Sequence, residues 1–254
     1  MPSPISETDL ETTLVSYLRG HQGYEEGTSQ DYVKDYALDV ERVKRFLLDT
    51  QKQKTINTAC FSNKFEERKF FNKLSSELSK RGVTDVLRKG FRYISEIFDL
   101  YYPLPSELNP EAQEIYKKNI FCVTRQLYYS KENNNSIDVM ISLNGLPIMT
   151  IELKNHYTDQ TIEDAVKQYK TDRDPKDLLL APKRCAVHFA VDDDNIKMCT
   201  ALSGKSSWFL PFDKGVNGGA GNPNNPNGVR TAYLWEEVLG YVRKDEHCTF
   251  GQCR

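Results

Sequence analysis

The segment Ile137–Asn155, with the sequence IDVMISLNGLPIMTIELKN, decides the core of the fold. It contains two runs rich in aliphatic and β-branched residues, and Asn144-Gly145 lies between them. Asn-Gly between two alternating runs is a strong signal for a β-hairpin. Because apolar residues alternate with more polar ones in each run, each strand is expected to bury one face. The segment therefore predicts an antiparallel hairpin with one apolar face.

The alternation also predicts which side chains share a face. The apolar phase consists of Val139, Ile141 and Leu143 in the first strand and Met149, Ile151 and Leu153 in the second. If these two phases lie on the same face, then Asp138, Glu152 and Lys154 lie together on the other.

The length of the turn decides whether the two acidic residues meet. A plain two-residue turn would place Asp138 opposite Ile151, and the two carboxylates would then lie on different faces. A three-residue turn that pairs Leu143 with Pro147, or an equivalent bulge, places Asp138 directly opposite Glu152, with Cα atoms about 4.5–5.5 Å apart. We therefore expect an odd-length turn or a bulge.

Two carboxylates at this distance, with an ammonium group two residues along, suit a hard divalent cation. Mg²⁺ commonly takes one or two carboxylate ligands and keeps waters and substrate phosphate oxygens. Such an ion polarises a phosphate and lowers the pKa of bound water, while Lys154 could orient that water or stabilise the charge of the phosphorane. The alternative is a half-exposed hairpin whose cross-strand ion pair contributes little. Spacing alone leaves both interpretations open.

Composition and charge narrow the class of protein. The chain has 254 residues, of which 39% are hydrophobic and 28% charged, as in ordinary soluble globular proteins. Lys and Arg total 34 against 36 Asp and Glu, so any nucleic-acid surface is expected to be local. We find no apolar run of membrane-span length and no signal-peptide pattern in the first residues, MPSPISETDLE. These features predict a cytoplasmic protein without a membrane partner.

The cysteines predict neither a disulfide framework nor a zinc site. The six cysteines form no CxxC pair. His247-Cys248 followed by Cys253 is the nearest approach to a metal motif, and it lacks a second matched pair. Reduced thiols of a cytoplasmic protein are the simpler interpretation.

The periodicity predicts one domain over residues 1–254, with three parts. Residues 1–110 are expected to be mostly helical, with helices over 8–20, 39–52 and 64–81. The core, 111–214, is expected to contain strands over 119–129, 137–143, 147–154 and 185–191, further strands over 195–202 and 207–212, and a helix over 159–170. The last part, 215–254, is expected to contain a Gly/Asn/Pro-rich loop over 215–228 and a helix over 231–243. This order predicts an α/β or α+β core.

The hairpin and its surroundings resemble a known enzyme family. The pattern Asp138-x13-Glu152-x-Lys154 is similar to the PD-(D/E)xK nuclease motif, although Ile137 replaces the usual proline. The wider text is more specific: DLETTLVSYLRGHQGY, VTRQLYYS, EDAVKQYKTDRDP, KRCAVHFAVDDDNIKMCTALSGKSSWFLPFDKG, GGAGNPNNPNG and TAYLWEEVL. Together with the hairpin, these segments resemble the N-terminal region of the restriction (R) subunit of type I restriction–modification enzymes, over most of the chain.

The resemblance implies a fold, an activity and partners. The fold would be α/β, a restriction-endonuclease-like mixed central sheet flanked by helices. The activity would be Mg²⁺-dependent hydrolysis of DNA phosphodiester bonds without sequence preference, with Mn²⁺ as a substitute. The partners would be double-stranded DNA, the motor domains of the same full-length subunit, and the methyltransferase and specificity subunits. The motor would follow residues 215–254 and is absent from this chain, which is expected to be a fragment or a separated nuclease module.

The resemblance also implies roles for particular residues. Asp138 and Glu152 match the family's metal-binding acids, with the backbone carbonyl of Leu153 as a further ligand, and Lys154 matches the catalytic lysine. Glu11 on the first helix fits the acidic position that often completes such sites. Glu7 is its competitor for that position, and a solvated helix face is the alternative for both.

The helix after the hairpin departs from the family pattern. Gln168 matches the glutamine of the family's QxxxY motif, but position 172 is Asp, and Tyr169 directly follows Gln168. Tyr169 is then either part of the site or a core residue of the helix. Arg173 could contact a phosphate or pair with a neighbouring aspartate.

Three further signals are interpreted without a catalytic role. Gly204-Lys205-Ser206 lacks the glycine that a P-loop needs five residues earlier, so we expect no ATP binding by this chain. Asp192-Asp193-Asp194 is expected to be a turn with solvated charges. His188, in an apolar strand, is expected to be a hydrogen-bonded core residue.

A second function from a different class remains open. The chain could be a docking and regulatory module that couples the motor to the methyltransferase and specificity core, without activity in isolation. Hydrolysis of DNA by the isolated chain would distinguish the two.

Overall fold

A seven-stranded mixed sheet forms the centre of the protein in a computed structural model, which describes residues 7–51, 56, 60–106, 108–155 and 160–240. Its strands, in spatial order, are β1 (Glu25–Gly27), β6 (Phe121–Tyr128), β7 (Ser136–Leu143), β8 (Leu146–Leu153), β9 (Val187–Val191), β10 (Ile196–Cys199) and β11 (Leu210–Pro211). The pairs β1–β6 and β8–β9 are parallel, and the other neighbours are antiparallel.

Two small sheets and six α-helices accompany this central sheet in the described part of the chain. The small sheets pair β2 (Tyr32–Val33) with β3 (Leu38–Asp39) and β4 (Phe91–Tyr93) with β5 (Glu96–Phe98). The helices are α1 (Glu7–Gln22), α2 (Val40–Thr50), α3 (Lys64–Arg81), α4 (Val83–Lys89), α5 (Pro110–Tyr116) and α6 (Ile162–Thr171). The expected α/β fold with a mixed central sheet flanked by helices is confirmed.

Local chemistry explains where several helices begin. The side chain of Asn63 accepts hydrogen bonds from the first backbone amides of α3, and Asp39 does the same for α2. Gly82 ends α3, as the sequence predicts, with a φ of 91° that other residues avoid. The predicted helices over 8–20, 39–52, 64–81 and 159–170 and the main strands of the core are therefore confirmed, within a few residues at their ends.

The two ends of the chain differ from the prediction. Residues 1–110, expected to be mostly helical, also contribute β1 and the two small sheets. These strands have two or three residues each, too few to show an alternation.

At the other end, the predicted helix over 231–243 is a 3₁₀ turn (Arg230–Ala232) and a π-helical turn (Leu234–Val238), and residues 241–243 lie outside the described residues. Residues 231–235 are all buried. An amphipathic surface helix turns one stripe to the core, so five consecutive buried residues do not fit the predicted amphipathic helix.

Helices cover both faces of the sheet. Leu10, Leu14 and Leu18 of α1 pack in one apolar cluster with Val139 of β7 and Ile151 of β8. On the opposite face, Ala165 and Val166 of α6 pack against Ala190 of β9. The β7–β8 hairpin is therefore enclosed, because its apolar phase faces α1 and its other phase faces the side of α6.

The expectation for the triple aspartate is wrong in part. Asp192 is buried, and its carboxylate accepts hydrogen bonds from the backbone amides of Ile162, Asp194 and Asn195. A carboxylate with three amide donors satisfies its charge without solvent. Asp192 therefore ties the beginning of α6 to the end of β9.

The turn of the hairpin is itself buried. Asn144 and Gly145 both have positive φ, 52° and 82°, as in a type I′ turn. The Asn144 carboxamide accepts a hydrogen bond from the backbone amide of Ile120 at 2.6 Å and donates to the carbonyl of Leu100 at 2.9 Å. The carbonyl of Gly145 accepts a hydrogen bond from the amide of Asp39 at 2.9 Å. The turn thus joins the sheet to the N-terminal helical part.

A buried polar chain joins α6 to the sheet. The hydroxyl of Thr150 on β8 lies 2.8 Å from the hydroxyl of Tyr169 and 2.7 Å from Nδ1 of His188. All three residues are buried, and burial lowers the pKa of His188 to about 4. The interpretation of His188 as a hydrogen-bonded core residue is confirmed, and Tyr169 is a core residue of its helix.

Replacement of Gly145 by alanine is expected to destabilise the protein strongly. A Cβ there would lie 2.3 Å from the carbonyl oxygen of Asp39, in addition to the strain of the positive φ. We expect the free energy of unfolding, measured by chemical denaturation, to fall by about 3 kcal/mol or more. Gly218→Ala is the matched control, because Gly218 has a φ of 79° but open space around it, and should cost only about 1 kcal/mol. Equal losses would contradict the packing argument.

Acid is expected to destabilise the fold through His188. The folded protein keeps this imidazole neutral down to about pH 4, whereas the unfolded chain protonates it near its ordinary pKa of 6.5. The contribution of His188 to the free energy of unfolding is therefore fully present above pH 6.5. It is lost as the pH falls towards 4, by up to about 3 kcal/mol. Denaturation at several pH values should show a shallower loss for His188→Gln, whereas His21→Gln, at an exposed histidine, should keep the wild-type slope.

Candidate active site

The register of the β7–β8 hairpin brings two carboxylates together. Val139 pairs with Ile151, so the next pair along the ladder places Asp138 opposite Glu152. The turn has two residues rather than three, but an extra residue in β8 shifts the register between Ile141 and Ser142. The expected three-residue turn is wrong, and the expected alternative, a bulge with the same effect, is confirmed.

Asp138, on β7, is held by contacts from both neighbouring strands, β8 and β6. One of its carboxylate oxygens, Oδ2, accepts a hydrogen bond from the backbone amide of Leu153 at 2.8 Å. The other, Oδ1, lies 3.4 Å from Nε2 of Gln126 on β6. The side chain is buried, so these contacts set its orientation.

Glu152 is fully buried and only half satisfied. Its Oε1 accepts a hydrogen bond from Nε of Arg173 at 2.7 Å, in an ion pair in which both side chains are buried. Its Oε2 has no hydrogen-bond partner among the described residues. A buried oxygen without a partner is costly unless another group binds it. The arrangement therefore leaves one carboxylate oxygen for a ligand.

The electrostatics of Glu152 favour a bound proton or cation. Burial, and then the nearby charge of Asp138, hold the pKa of Glu152 well above its usual value, and Arg173 offsets this only in part. Such a carboxylate releases its proton readily only when another positive charge takes its place. Two adjacent carboxylates with one oxygen unsatisfied are thus suited to a divalent cation.

Lys154 shares the face of Glu152. It directly follows β8, and its backbone amide donates to the carbonyl of Val191 at 2.8 Å, which continues the pairing with β9. Its ammonium group lies 3.3 Å from Oε1 of Glu7, in the first turn of α1. Because Lys154 is buried and Glu7 is partly exposed, the ammonium group is held at the edge of the site.

Glu11 reaches the site through an intermediate residue. Its carboxylate is buried and accepts a hydrogen bond from Nε2 of Gln126 at 2.8 Å, the same nitrogen that lies near Asp138. Burial raises the pKa of Glu11, and the hydrogen bond from Gln126 works in the opposite direction. Of the two competing acids of α1, Glu11 lies next to the carboxylate pair and Glu7 next to the lysine.

Gln168 makes no hydrogen bond to these side chains within the described residues. It is half-buried on α6, and its carboxamide makes no hydrogen bond within the described part of the chain. Tyr169, its neighbour, instead contacts Thr150 on the same face of β8 as Glu152. Tyr169 therefore joins the helix to β8, and a role for Gln168 stays a prediction.

The sequence analysis did not predict the contacts of two residues of the site. Arg173 was expected to contact a phosphate or a neighbouring aspartate, and it pairs instead with Glu152. Gln126 had no signal at all, because a glutamine in a strand resembles any solvent-facing residue. Its position opposite Asp138 follows only from the β6–β7 register.

The donor set fits a hard cation that keeps most of its waters. No three His, Cys, Asp or Glu side chains within the described residues are arranged as a complete metal-binding group. The carboxylates of Glu152 and Asp138, with the carbonyl of Leu153 as a candidate third ligand, would supply the few oxygens that Mg²⁺ takes from a protein. Cys60, Cys122, Cys185 and Cys199 are free thiols and are buried.

A comparison with known proteins identifies the family of this chain. Among the described helices, none has the length and apolar character needed to cross a membrane. No curated protein matches the chain. A family model described as the type I restriction enzyme R protein N terminus matches residues 4–207, which include both strands of the hairpin and Lys154. The chain therefore belongs to the family of type I restriction enzyme R protein N termini.

Proposed function

We propose that this chain is the nuclease module of a type I restriction enzyme R subunit and hydrolyses DNA phosphodiester bonds with Mg²⁺, without sequence preference of its own. The observation that supports this most directly is the pair of buried carboxylates, Asp138 and Glu152, with Oε2 of Glu152 unpartnered and Lys154 on the same face. A structural ion pair would not need a second buried acid beside it.

In the proposed reaction, a divalent cation and the protein's own residues have different roles. A divalent ion held by Asp138, Glu152 and the Leu153 carbonyl would polarise the scissile phosphate and supply an activated water. The protein's part is to hold the two buried carboxylates in place beside each other. Leu153 does this for Asp138 through its backbone amide, and Arg173 does it for Glu152.

Lys154 is the proposed proton-handling and charge-stabilising group. Its ammonium group lies 3.3 Å from Oε1 of Glu7, and its residue follows the strand that carries Glu152. From there it can orient the attacking water or donate to the phosphorane oxygens as their charge develops. Glu7 holds the ammonium group in place until a phosphate competes for it.

Binding of DNA would depend on backbone contacts. The chain has almost equal numbers of basic and acidic residues, 34 and 36, so binding should be weak, local and sensitive to salt. Double-stranded DNA is the proposed substrate. The motor domains of the full-length subunit and the methyltransferase and specificity subunits are the proposed protein partners, and base recognition would belong to the last of these.

Lys154→Ala is expected to abolish cleavage and to leave the fold intact. The ion pair of Lys154 with Glu7 is partly exposed and worth less than 1 kcal/mol or so, whereas loss of one donor to a developing anion typically costs about 100-fold or more in rate. Nicking of supercoiled plasmid with Mn²⁺ or Mg²⁺ measures the effect. Lys205→Ala removes an exposed lysine as the control and should cut at the wild-type rate. Cleavage that survives in Lys154→Ala would contradict the assigned role, and absence of cleavage by wild-type chain would favour a docking module.

Arg173→Gln is expected to destabilise the protein by about 3–5 kcal/mol, because it leaves a buried carboxylate without its partner. Chemical denaturation measures this loss. Arg230→Gln is the matched control: its ion pair with Asp194 is about half exposed and should be worth less than about 1 kcal/mol. If both variants unfold at the same denaturant concentration, the buried pair does not hold Glu152 as described.

A further inference from the structure

Gln126 lies in the central sheet with a strained backbone. Its φ is 43°, in the left-handed region that residues other than glycine rarely adopt. Its neighbours Arg125 and Leu127 pair with Val139 and Ile137, so Gln126 interrupts the ladder directly opposite Asp138. Strain of this kind persists only where the surroundings impose it, and it often lies at functional sites.

The side chain of Gln126 lies between two acids. Its Nε2 donates to Oε2 of Glu11 at 2.8 Å and lies 3.4 Å from Oδ1 of Asp138. The hydroxyl of Ser136 donates to Oε1 of Gln126 at 3.1 Å. Because Oε1 already accepts from a hydroxyl, the amide group is oriented with its NH₂ towards the carboxylates.

The two sides of Asp138 are therefore different. Towards Glu152, an unpartnered oxygen remains, since Arg173 takes only Oε1. Towards Glu11, the gap between the carboxylates is filled by the NH₂ group of Gln126. Adjacent carboxylates repel each other unless a cation or a hydrogen-bond donor lies beside them. Here the neutral amide of Gln126 lies between the two acids, and the guanidinium of Arg125 lies 3.8 Å from the other oxygen of Glu11, Oε1.

We propose that the carboxamide of Gln126 takes the place of a second cation, so that the site binds a single divalent ion, between Asp138 and Glu152. This inference rests on the proposed function and deepens it, because it specifies the number of ions. Gln126 is a positioning residue: it separates Glu11 from Asp138 and leaves only the Glu152 side of Asp138 open to an ion.

The number of Mn²⁺ ions bound by the full chain tests the proposal. Free Mn²⁺ is counted by electron paramagnetic resonance during titration, and isothermal titration calorimetry gives the affinities, with no DNA present. We expect one ion in the wild type and two in both Gln126→Gly and Gln126→Glu. Glycine adopts the positive φ without strain and removes the amide, so this variant should fold; glutamate keeps the shape and adds a third carboxylate.

Two controls separate the possible outcomes. Tyr128→Ser, at an exposed position on the same strand, should still bind one ion. Asp138→Asn should bind no ion at micromolar Mn²⁺, because we expect its affinity for Mn²⁺ to be at least tenfold lower than that of the wild type. Two ions in the wild type, or one ion in both Gln126 variants, would overturn the inference and leave the nuclease site standing. No binding by the wild type, or wild-type binding by Asp138→Asn, would overturn the metal site and the inference together.

Discussion

The complete burial of one carboxylate, that of Glu152, is the constraint on which the arrangement of the candidate site depends. Burying an ionised acid is costly unless another charge lies beside it, and Arg173, two residues after the end of α6, lies in that place. The position of α6 is in turn fixed by Asp192 at its beginning and by Tyr169 along its length. The helix therefore packs over this face of the sheet, and the segment that follows it supplies the positive charge beside Glu152.

The N-terminal helix, α1, contacts the same hairpin from the other face of the sheet. One stripe of α1 packs against the apolar phase of the hairpin, while Glu7 and Glu11 project towards the opposite phase at the edge of the sheet. The buried hairpin turn then ties the same two strands to α2 through Gly145 and Asp39. Residues separated by more than a hundred positions in the sequence thus meet around one pair of strands.

Most of the fold and the central pair of the site could be predicted from the sequence, because alternation and helical spacing are local signals. The helices 64–81 and 159–170 and the hairpin follow from them, as does the shared face of Asp138, Glu152 and Lys154. The short strands of the N-terminal part lack such a signal. Arg173 and Gln126 could not be assigned, because their partners are set by packing between elements and by register, which no local pattern encodes.

The extra residue in β8 has a consequence for how this hairpin can vary among related chains. Side chains in a strand alternate with a period of two, so the bulge converts an even turn into the odd spacing that the acids need. Loss of the bulged residue, or insertion of one residue at the turn, would move Glu152 to the face of the sheet that packs against α1. Glu152 would then be separated from Arg173. A change of one residue between the two acids would therefore place them on opposite faces, whereas a change of two residues would keep them on the same face.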